Sequence, residues 1–292
     1  MENIGLVVHA GKPAAVDLAR NLVHWCQTHG FTPMTTPELG GVLGIEGARP
    51  VAQWPEDTRV VLVLGGDGTL LGVAPDLARR GFPAVGVNLG RLGFLTGMEP
   101  VDLPDGLEIL LDGRGITEER MLLDVEVRQG NTRRARYLAL NEVVVAKGPL
   151  ARLVRLEALV DGRSMATYPA DGLVLATPTG STAYALSAGG PVVEPTLSAV
   201  VVAPICPHSL YSRSMVIHPA HEVSVRVVGP HREVFVTVDG RLGRALEESE
   251  TVVASRSSLT LKLLRHPDWR FFQMLMPKLR DSDRVGWEDP TP

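Results

Sequence analysis

Little in this chain points to metals, disulfides, nucleic acid or membranes. Its 292 residues contain only Cys26 and Cys206, far apart and without further Cys or His at metal-ligand spacing, which argues against a zinc site and a disulfide framework. A reducing cytoplasm is the expected setting. There is no large excess of one charge: a formal net charge of −4 gives no basic field, so neither nucleic acid nor an anionic membrane is an expected partner. No apolar run approaches the roughly 20 residues of a membrane span. Met1-Glu2-Asn3 runs into an apolar stretch of only a few residues, which lacks the charge and length expected of a secretion signal. What is present is 45% apolar residues in many short Val/Leu/Ile runs, enough for a sizeable core and for two domains. A small-molecule partner fits this balance.

The first part of the chain alternates strand and helix patterns. Ile4 to His9 predicts a buried strand, and Ala15, Leu18, Ala19, Leu22 and Cys26 follow at helical spacing until Gly30 stops them. Arg59 to Leu64 is a continuous apolar run of the kind that fills a central parallel strand covered on both faces. Leu70 to Arg80 has a helical pattern, and Ala84 to Val87 supplies another strand. Residues 1–115 therefore predict an α/β domain carrying a phosphate loop. From 116 to about 265 period-two alternation takes over, with strands expected at Tyr137–Ala146, Val154–Val160, Leu173–Ala176, Val200–Ala203, Val223–Val228, Val234–Val238 and Leu259–Leu264. One short helix is expected at Thr182–Ala188, with Ser181 as its N-cap and Gly189-Gly190-Pro191 as its stop. The acidic tail after Arg280 is expected to be mobile.

The first candidate site is Gly65-Gly66-Asp67-Gly68-Thr69. A glycine-rich turn at the end of a central strand lets backbone N–H groups approach phosphate oxygens, and the following helix adds its positive end. It is not the dinucleotide fingerprint, because Leu71 stands where a third Gly should be, and it is not a P-loop, because no Gly-Lys-Ser/Thr follows. Its distinguishing feature is Asp67, a negative charge inside a phosphate cradle. Two tasks fit it: accepting a proton from an attacking hydroxyl, or holding a divalent cation through the bound phosphates. The plain alternative is a helix cap or an Asx-turn.

A second constellation, Ala176 to Tyr184, crowds hydroxyls and backbone donors into a strand-to-helix turn, with Ser187 beyond it, and such a turn can read a base edge. Together with the Gly-Gly-Asp-Gly-Thr loop, Asn141-Glu142, Asp171-Gly172 and Leu186-Ser187-Ala188-Gly189-Gly190-Pro191, it makes the chain resemble the bacterial NAD kinases over most of its length. Asn88–Thr96 and Pro204–Ser209 also resemble family segments, less diagnostically. The loop alone is shared with 6-phosphofructokinases and with diacylglycerol and sphingosine kinases.

The resemblance implies a Rossmann-like α/β domain, then a β-sandwich NAD-binding domain over 116–265, with a C-terminal segment, 266–292, returning to pack on the first domain. It implies transfer of a phosphoryl group from ATP, or from polyphosphate, to the 2′-hydroxyl of the adenosine ribose of NAD, with Mg²⁺ assisting and NADP as product. Asp67 matches the catalytic base and Gly68 lies beside the NAD diphosphate. Asn141 and Glu142 match the ribose-binding pair, Thr182, Ala183, Tyr184 and Ser187 the adenine turn, Asp171 a carboxylate towards the nicotinamide end, and Arg152 a substrate-side position. A homodimer or homotetramer is implied as well.

Plainer readings stand beside these. Asn141-Glu142 can start an exposed strand, Arg152 can be a surface residue, and Asp171-Gly172 can be a turn, as Asp161-Gly162 reads as a two-residue hairpin. Asp239-Gly240 is ambiguous between a hairpin turn and a site segment. Two departures from the family pattern, Pro169 and Arg241, fall at the edge of the implied pocket, towards the nicotinamide half. Three other functions fit the sequence less well. A lipid or sugar kinase is disfavoured by the adenine-type turn, an idle NAD sensor by the presence of Asp67, and an NAD-dependent dehydrogenase by the missing third Gly and the lack of a hydride-transfer catalyst.

Overall fold

The computed structural model describes residues 2–90, 93–149, 153–209, 211–231 and 233–284. The chain divides into two compact units, Met1–Leu70 with Pro83–Glu118 and Leu263–Pro292, and Leu71–Phe82 with Glu119–Lys262.

In the first unit the order is β1 (Asn3–Val8), α1 (Pro13–Thr28), β2 (Thr32–Thr35), α2 (Pro37–Leu43), β3 (Thr58–Gly65), the start of α3 (Asp67–Arg80), β4 (Ala84–Asn88) and α4 (Leu103–Leu111). The strands lie side by side as β2-β1-β3-β4, all parallel. Central β3 buries Val61 to Leu64 completely, which is why its sequence is a continuous apolar run rather than an alternating one. Helix α1 starts on Pro13, where a missing N–H costs nothing, and buries Ala15, Ala19, Leu22 and Cys26 as one stripe. Gly30, at φ +78°, turns the chain away.

The second unit runs through the rest of β5 (Ile116–Gln129), then β6 (Thr132–Ala139), β7 (Glu142–Lys147), β8 (Val154–Val160), β9 (Arg163–Ala170), β10 (Gly172–Ala176), α5 (Tyr184–Ser187), β11 (Val200–Ile205), β12 (Met215–Ile217), β13 (Val223–Val227), β14 (Val234–Val238), β15 (Arg241–Ala245) and most of β16 (Glu250–Arg265). One sheet has the order β12-β11-β10-β7-β14-β15. The other is built from β16-β13-β8-β9, with β5 pairing both β16 and β6. Their facing side chains, Val143, Val145, Leu173 and Leu175 from one sheet and Leu156, Val223, Val225 and Val252 from the other, form one core. The outer face of the first sheet is covered too: Val144, Val174 and Val201 pack with Ala185 and Val193. Both faces being covered explains the near-continuous apolar runs of β7, β10 and β11.

The Asp161-Gly162 hairpin is as read: Val160 pairs with Arg163, and both turn residues have positive φ. Three expectations need correction. The strand expected over Tyr137–Ala146 is two strands, because the chain leaves β6 and enters β7, in the other sheet, at Leu140-Asn141. The helix expected over Thr182–Ala188 is a 3-10 turn at Gly180–Thr182 followed by the single turn α5, with Ala183 between them at φ −101° and ψ −128°. Ser181 is not an N-cap: its hydroxyl donates to the Pro178 carbonyl and accepts from the Val193 N–H, fastening the turn to the chain beyond α5.

The end of β16 belongs to the first unit, where Leu263 pairs in parallel with Ala84, and α6 (Phe271–Arg284) follows it there. The rest of the tail lies outside the described residues. Among the described residues no helix is long and apolar enough to cross a membrane.

Candidate functional site

Strand β3 delivers Gly65 and Gly66 to its carboxyl end, and α3 opens on Asp67. A Cβ on Gly66 or on Gly68 would meet nothing within 4 Å, so the turn faces open space on both sides of Asp67. The Asp67 side chain does not cap its own helix. Its carboxylate crosses to the segment after β4, where Oδ2 accepts the Phe94 N–H at 2.8 Å and Oδ1 accepts the N–H groups of Leu95 and Thr96 at 3.1 and 3.2 Å. Gly93 is required by this arrangement, because any Cβ there would overlap the Asp67 carboxylate. Each carboxylate oxygen has two lone-pair sites, so Oδ1 is filled and Oδ2 keeps one. Asp67 is thus a fixed acceptor with one oxygen still able to take a proton.

One cation, Lys278, acts on this carboxylate, and a second, Arg265, is held nearby in an ion pair. Arg265, fully buried, forms an ion pair with Glu118 at 3.0 Å and donates to the carbonyls of Leu95 and Phe94. Lys278 of α6 lies over the Phe94 ring, 4.0 Å from its centroid. Burial pushes its ammonium down to about 8, with Asp67 opposing and Arg265 adding to the fall.

In the second unit the chain between β6 and β7 is pinned by Asp239. Its Oδ2 accepts the Leu140 N–H at 2.8 Å, and its Oδ1 accepts the N–H groups of Asn141 and Glu142 at 2.7 and 3.0 Å. Asp239-Gly240 is a hairpin turn, since Val238 pairs with Arg241 and both turn residues have positive φ, and its carboxylate holds the corner that carries the candidate residues Asn141 and Glu142. The Thr177 hydroxyl donates to the Leu140 carbonyl at 2.6 Å, and Gly180 packs so closely on Asn141 that a Cβ would overlap its carbonyl. The structure therefore brings Asn141 and Glu142 against the start of the Gly180–Tyr184 turn.

Glu142 is buried, and its Oε2 has no hydrogen-bond partner. Burial first, and then repulsion from Asp239, raise its carboxyl from the ordinary 4.5 to about 7. An orphaned buried carboxyl oxygen is costly unless a ligand completes it.

The remaining candidates of this unit take varied positions. Thr182 donates back to the Thr179 carbonyl, and Tyr184 is 44% exposed. Asp171 is not in a hairpin turn. It stands where the chain passes from β9 to β10, paired with Lys147 at 3.3 Å. Pro169 sits in β9 opposite Arg155, while Arg241 lines a cavity of 260 Å³ with Arg136, Tyr137 and Asp239. Arg152 lies outside the described residues. Sequence reasoning missed Gly93, Glu118, Arg265, Lys278 and the carboxylate of Asp239 as organisers. Each acts across more than twenty residues of chain, so no local pattern marks it.

A glycine turn that closes a central parallel strand, opens a helix and holds one carboxylate defines a phosphate-handling α/β protein. The comparisons narrow this class. Residues 4–115 match the model of the ATP-NAD kinase N-terminal domain and residues 140–266 that of the ATP-NAD kinase C-terminal domain. The NAD kinase of Heliobacterium modesticaldum is 40% identical over 283 residues, 97% of this chain and 100% of that protein. The NAD kinase of Symbiobacterium thermophilum is 40% identical over 284 residues, 96% of this chain and 99% of that one. Two crystal structures share the fold: yeast NADH kinase complexed with NADH, at TM-score 0.83, 21% identity and 100% and 90% coverage of this chain and that one, and an Archaeoglobus fulgidus NAD kinase with ATP, at 0.74, 23%, 96% and 99%. The chain belongs to the NAD kinase family.

The Glu142 environment makes a stability prediction. Folding favours its neutral form, so its contribution is fully present below about pH 4.5 and is lost as pH rises through about 7. Glu142→Gln removes the charge that is buried above that range. The variant is expected to exceed the parent in unfolding free energy at pH 8 by on the order of 3 kcal/mol, with the gap closing by pH 5, as urea unfolding at both pH values would measure.

Proposed function

We propose that this chain phosphorylates the 2′-hydroxyl of the adenosine ribose of NAD, with Asp67 as the general base and ATP as the donor. Phosphorylation of NAD by ATP follows from the family. The role of Asp67 is carried by one observation: a carboxylate fixed in a glycine-rich phosphate turn by three backbone N–H groups, with one acceptor position left on Oδ2. In this reading Oδ2 takes the proton of the 2′-hydroxyl as that oxygen bonds to the γ-phosphorus, and the bond from the γ-phosphorus to the bridging oxygen breaks to release ADP. Little covalent work falls to the protein in such a transfer, so positioning supplies much of the rate.

Among the described residues no three His, Cys, Asp or Glu side chains are grouped to hold a metal ion. In this reading Asp67 would be the one carboxylate near a Mg²⁺ carried mainly by the phosphate oxygens, as that ion is usually held. Such a cation would neutralise charge on the transferring group. The N–H groups of the Gly66–Gly68 turn, where both glycines face open space, take the diphosphate in this reading. Glu142 and Asn141 take ribose hydroxyls, Thr182, Ala183, Tyr184 and Ser187 the adenine, Asp171 the nicotinamide end, and Arg152 a further substrate contact. Support for Glu142 is its unpartnered Oε2, which a hydroxyl would satisfy.

Polyphosphate presents the same terminal phosphoryl group as ATP and is tested in the same assay. The reading also includes a homodimer or homotetramer, supported by Val216, 54% exposed on edge strand β12, and by Tyr211, 93% exposed. A reducing cytoplasm agrees with the unpaired Cys26 and Cys206.

Two measurements test the site. Asp67→Asn should keep the NAD dissociation constant within about threefold while kcat falls by about 10² or more, the scale of lost general-base catalysis, read by coupling NADP formation to an NADP-specific dehydrogenase. Near-normal turnover would rule out the base. If a ribose hydroxyl donates to Glu142, binding favours its ionised form, so NAD binding should release protons near pH 7 and tighten as pH rises through that value. Calorimetry in buffers of different ionisation enthalpy reads the release, which Glu142→Gln should abolish; proton uptake by the parent would contradict the contact.

A further inference from the structure

Arg265 and Glu118 form a buried ion pair that the reaction itself does not call for. Their side chains are only 1% and 10% exposed, and the indole of Trp269 lies against the guanidinium with 4.5 Å between its centroid and Cζ. Gly97 is needed beside them, since a Cβ there would overlap the guanidinium. A buried ion pair is weak grounds for stability, because desolvation offsets most of the attraction. Its placement suggests another use.

The guanidinium donates through Nη2 to the Phe94 carbonyl at 3.2 Å and through Nη1 to the Leu95 carbonyl at 2.9 Å. The Phe94 carbonyl and the Leu95 N–H belong to one peptide unit, and the Leu95 carbonyl and the Thr96 N–H belong to the next. Those two N–H groups donate to Asp67 Oδ1, with the Thr96 hydroxyl as a longer third contact at 3.5 Å. A peptide unit is planar and rigid, so fixing the carbonyl fixes the direction of the N–H at its other end. Hydrogen bonds in series also polarise one another, so a cation on each carbonyl strengthens the opposite N–H as a donor. Two consecutive peptide planes therefore connect the guanidinium to one oxygen of the carboxylate. Glu118 holds the Nε edge and leaves the two Nη groups aimed at the loop.

We propose that Arg265, oriented by Glu118, is a positioning residue for Asp67: through the peptide planes 94–95 and 95–96 it anchors Oδ1 and so leaves Oδ2 directed at the substrate hydroxyl. This rests on the reading of Asp67 as the base. Lysine does not replace arginine here, because an ammonium has no planar fork to serve two successive carbonyls at once. The same arrangement sets two steric demands in the loop, Gly93 against the carboxylate and Gly97 against the guanidinium.

The test compares Arg265→Lys, which keeps a buried cation beside Glu118, and the double variant Arg265→Met with Glu118→Met, which removes both charges of the pair, with the parent and with Asp67→Asn in one NADP-forming assay. Thermal unfolding is followed in parallel. The expected result is a kcat lower by about tenfold or more in both, with KM for NAD and for ATP within about threefold of the parent and with the double variant folded. A double variant or an Arg265→Lys variant that turns over within twofold of the parent overturns the proposal, as does a loss that appears in KM alone. If Asp67→Asn is itself active, the reading of the base fails instead, and the two failures are told apart within the same experiment.

Discussion

A carboxylate held by backbone N–H groups is the constraint on which the first unit's site depends. Asp67 stands where phosphate is expected, and its negative charge would work against any phosphate bound there unless its position were set with care. Three N–H groups of Phe94, Leu95 and Thr96 set it. That contact dictates the rest of its neighbourhood. The chain must pass close enough to Asp67 to bond it, so Gly93 can carry no side chain, and the loop must be held from behind, which the Arg265 fork does. Strand β3 and helix α3 supply only the approach. A loop on the neighbouring strand β4 supplies the aim.

The second unit uses the same device for another end. Asp239 also divides its oxygens between one N–H and two, and what it fixes is the crossing from one sheet to the other at Leu140-Asn141. A chain that changes sheets must break its ladder and leave N–H groups without strand partners. Asp239 satisfies them, and the break becomes a rigid corner that presents Asn141 and Glu142. Gly180 allows the Thr177–Tyr184 turn to close on that corner. The corner leaves Glu142 buried beside a second carboxylate with one oxygen unsatisfied. Such a group costs stability in the free protein and is retained where a ligand needs it, a conflict that marks functional sites.

What could be read from the sequence followed the range of the interaction. Arg59 to Leu64 reads as a central strand because burial on both faces is written in the run itself, and Asp161-Gly162 reads as a hairpin because the turn requires its two residues to be neighbours. The Gly65–Thr69 turn and the Thr177–Ser187 turn are legible for the same reason. The break inside Tyr137–Ala146 is not, because alternation continues through it and the carboxylate that pins it lies ninety-eight residues on, at Asp239. Ser181 reads as a cap locally and instead fastens Val193. Arg265 has no local mark at all: its partners Leu95 and Glu118 lie far back along the chain, and a lone Arg near the end of a strand reads as a surface residue.

Asp67 and Asp239 also show how two carboxylates with alike hydrogen bonds can differ in their surroundings. Each is followed by glycine, and each accepts one N–H on Oδ2 and two on Oδ1. Their difference lies in what surrounds the oxygen with spare capacity. Asp239 faces the burial that raises its own carboxyl and the repulsion it shares with Glu142. Asp67 stands at the first turn of α3 between two glycines that open onto free space, with Lys278 and Arg265 close enough to act on each other's charge. The helix terminus and these cations favour an anion such as phosphate at that point. The motif of N–H groups gives precision in both units. At Asp67 that precision is joined to open space and positive charge, which is what the proposed phosphoryl transfer asks of the site.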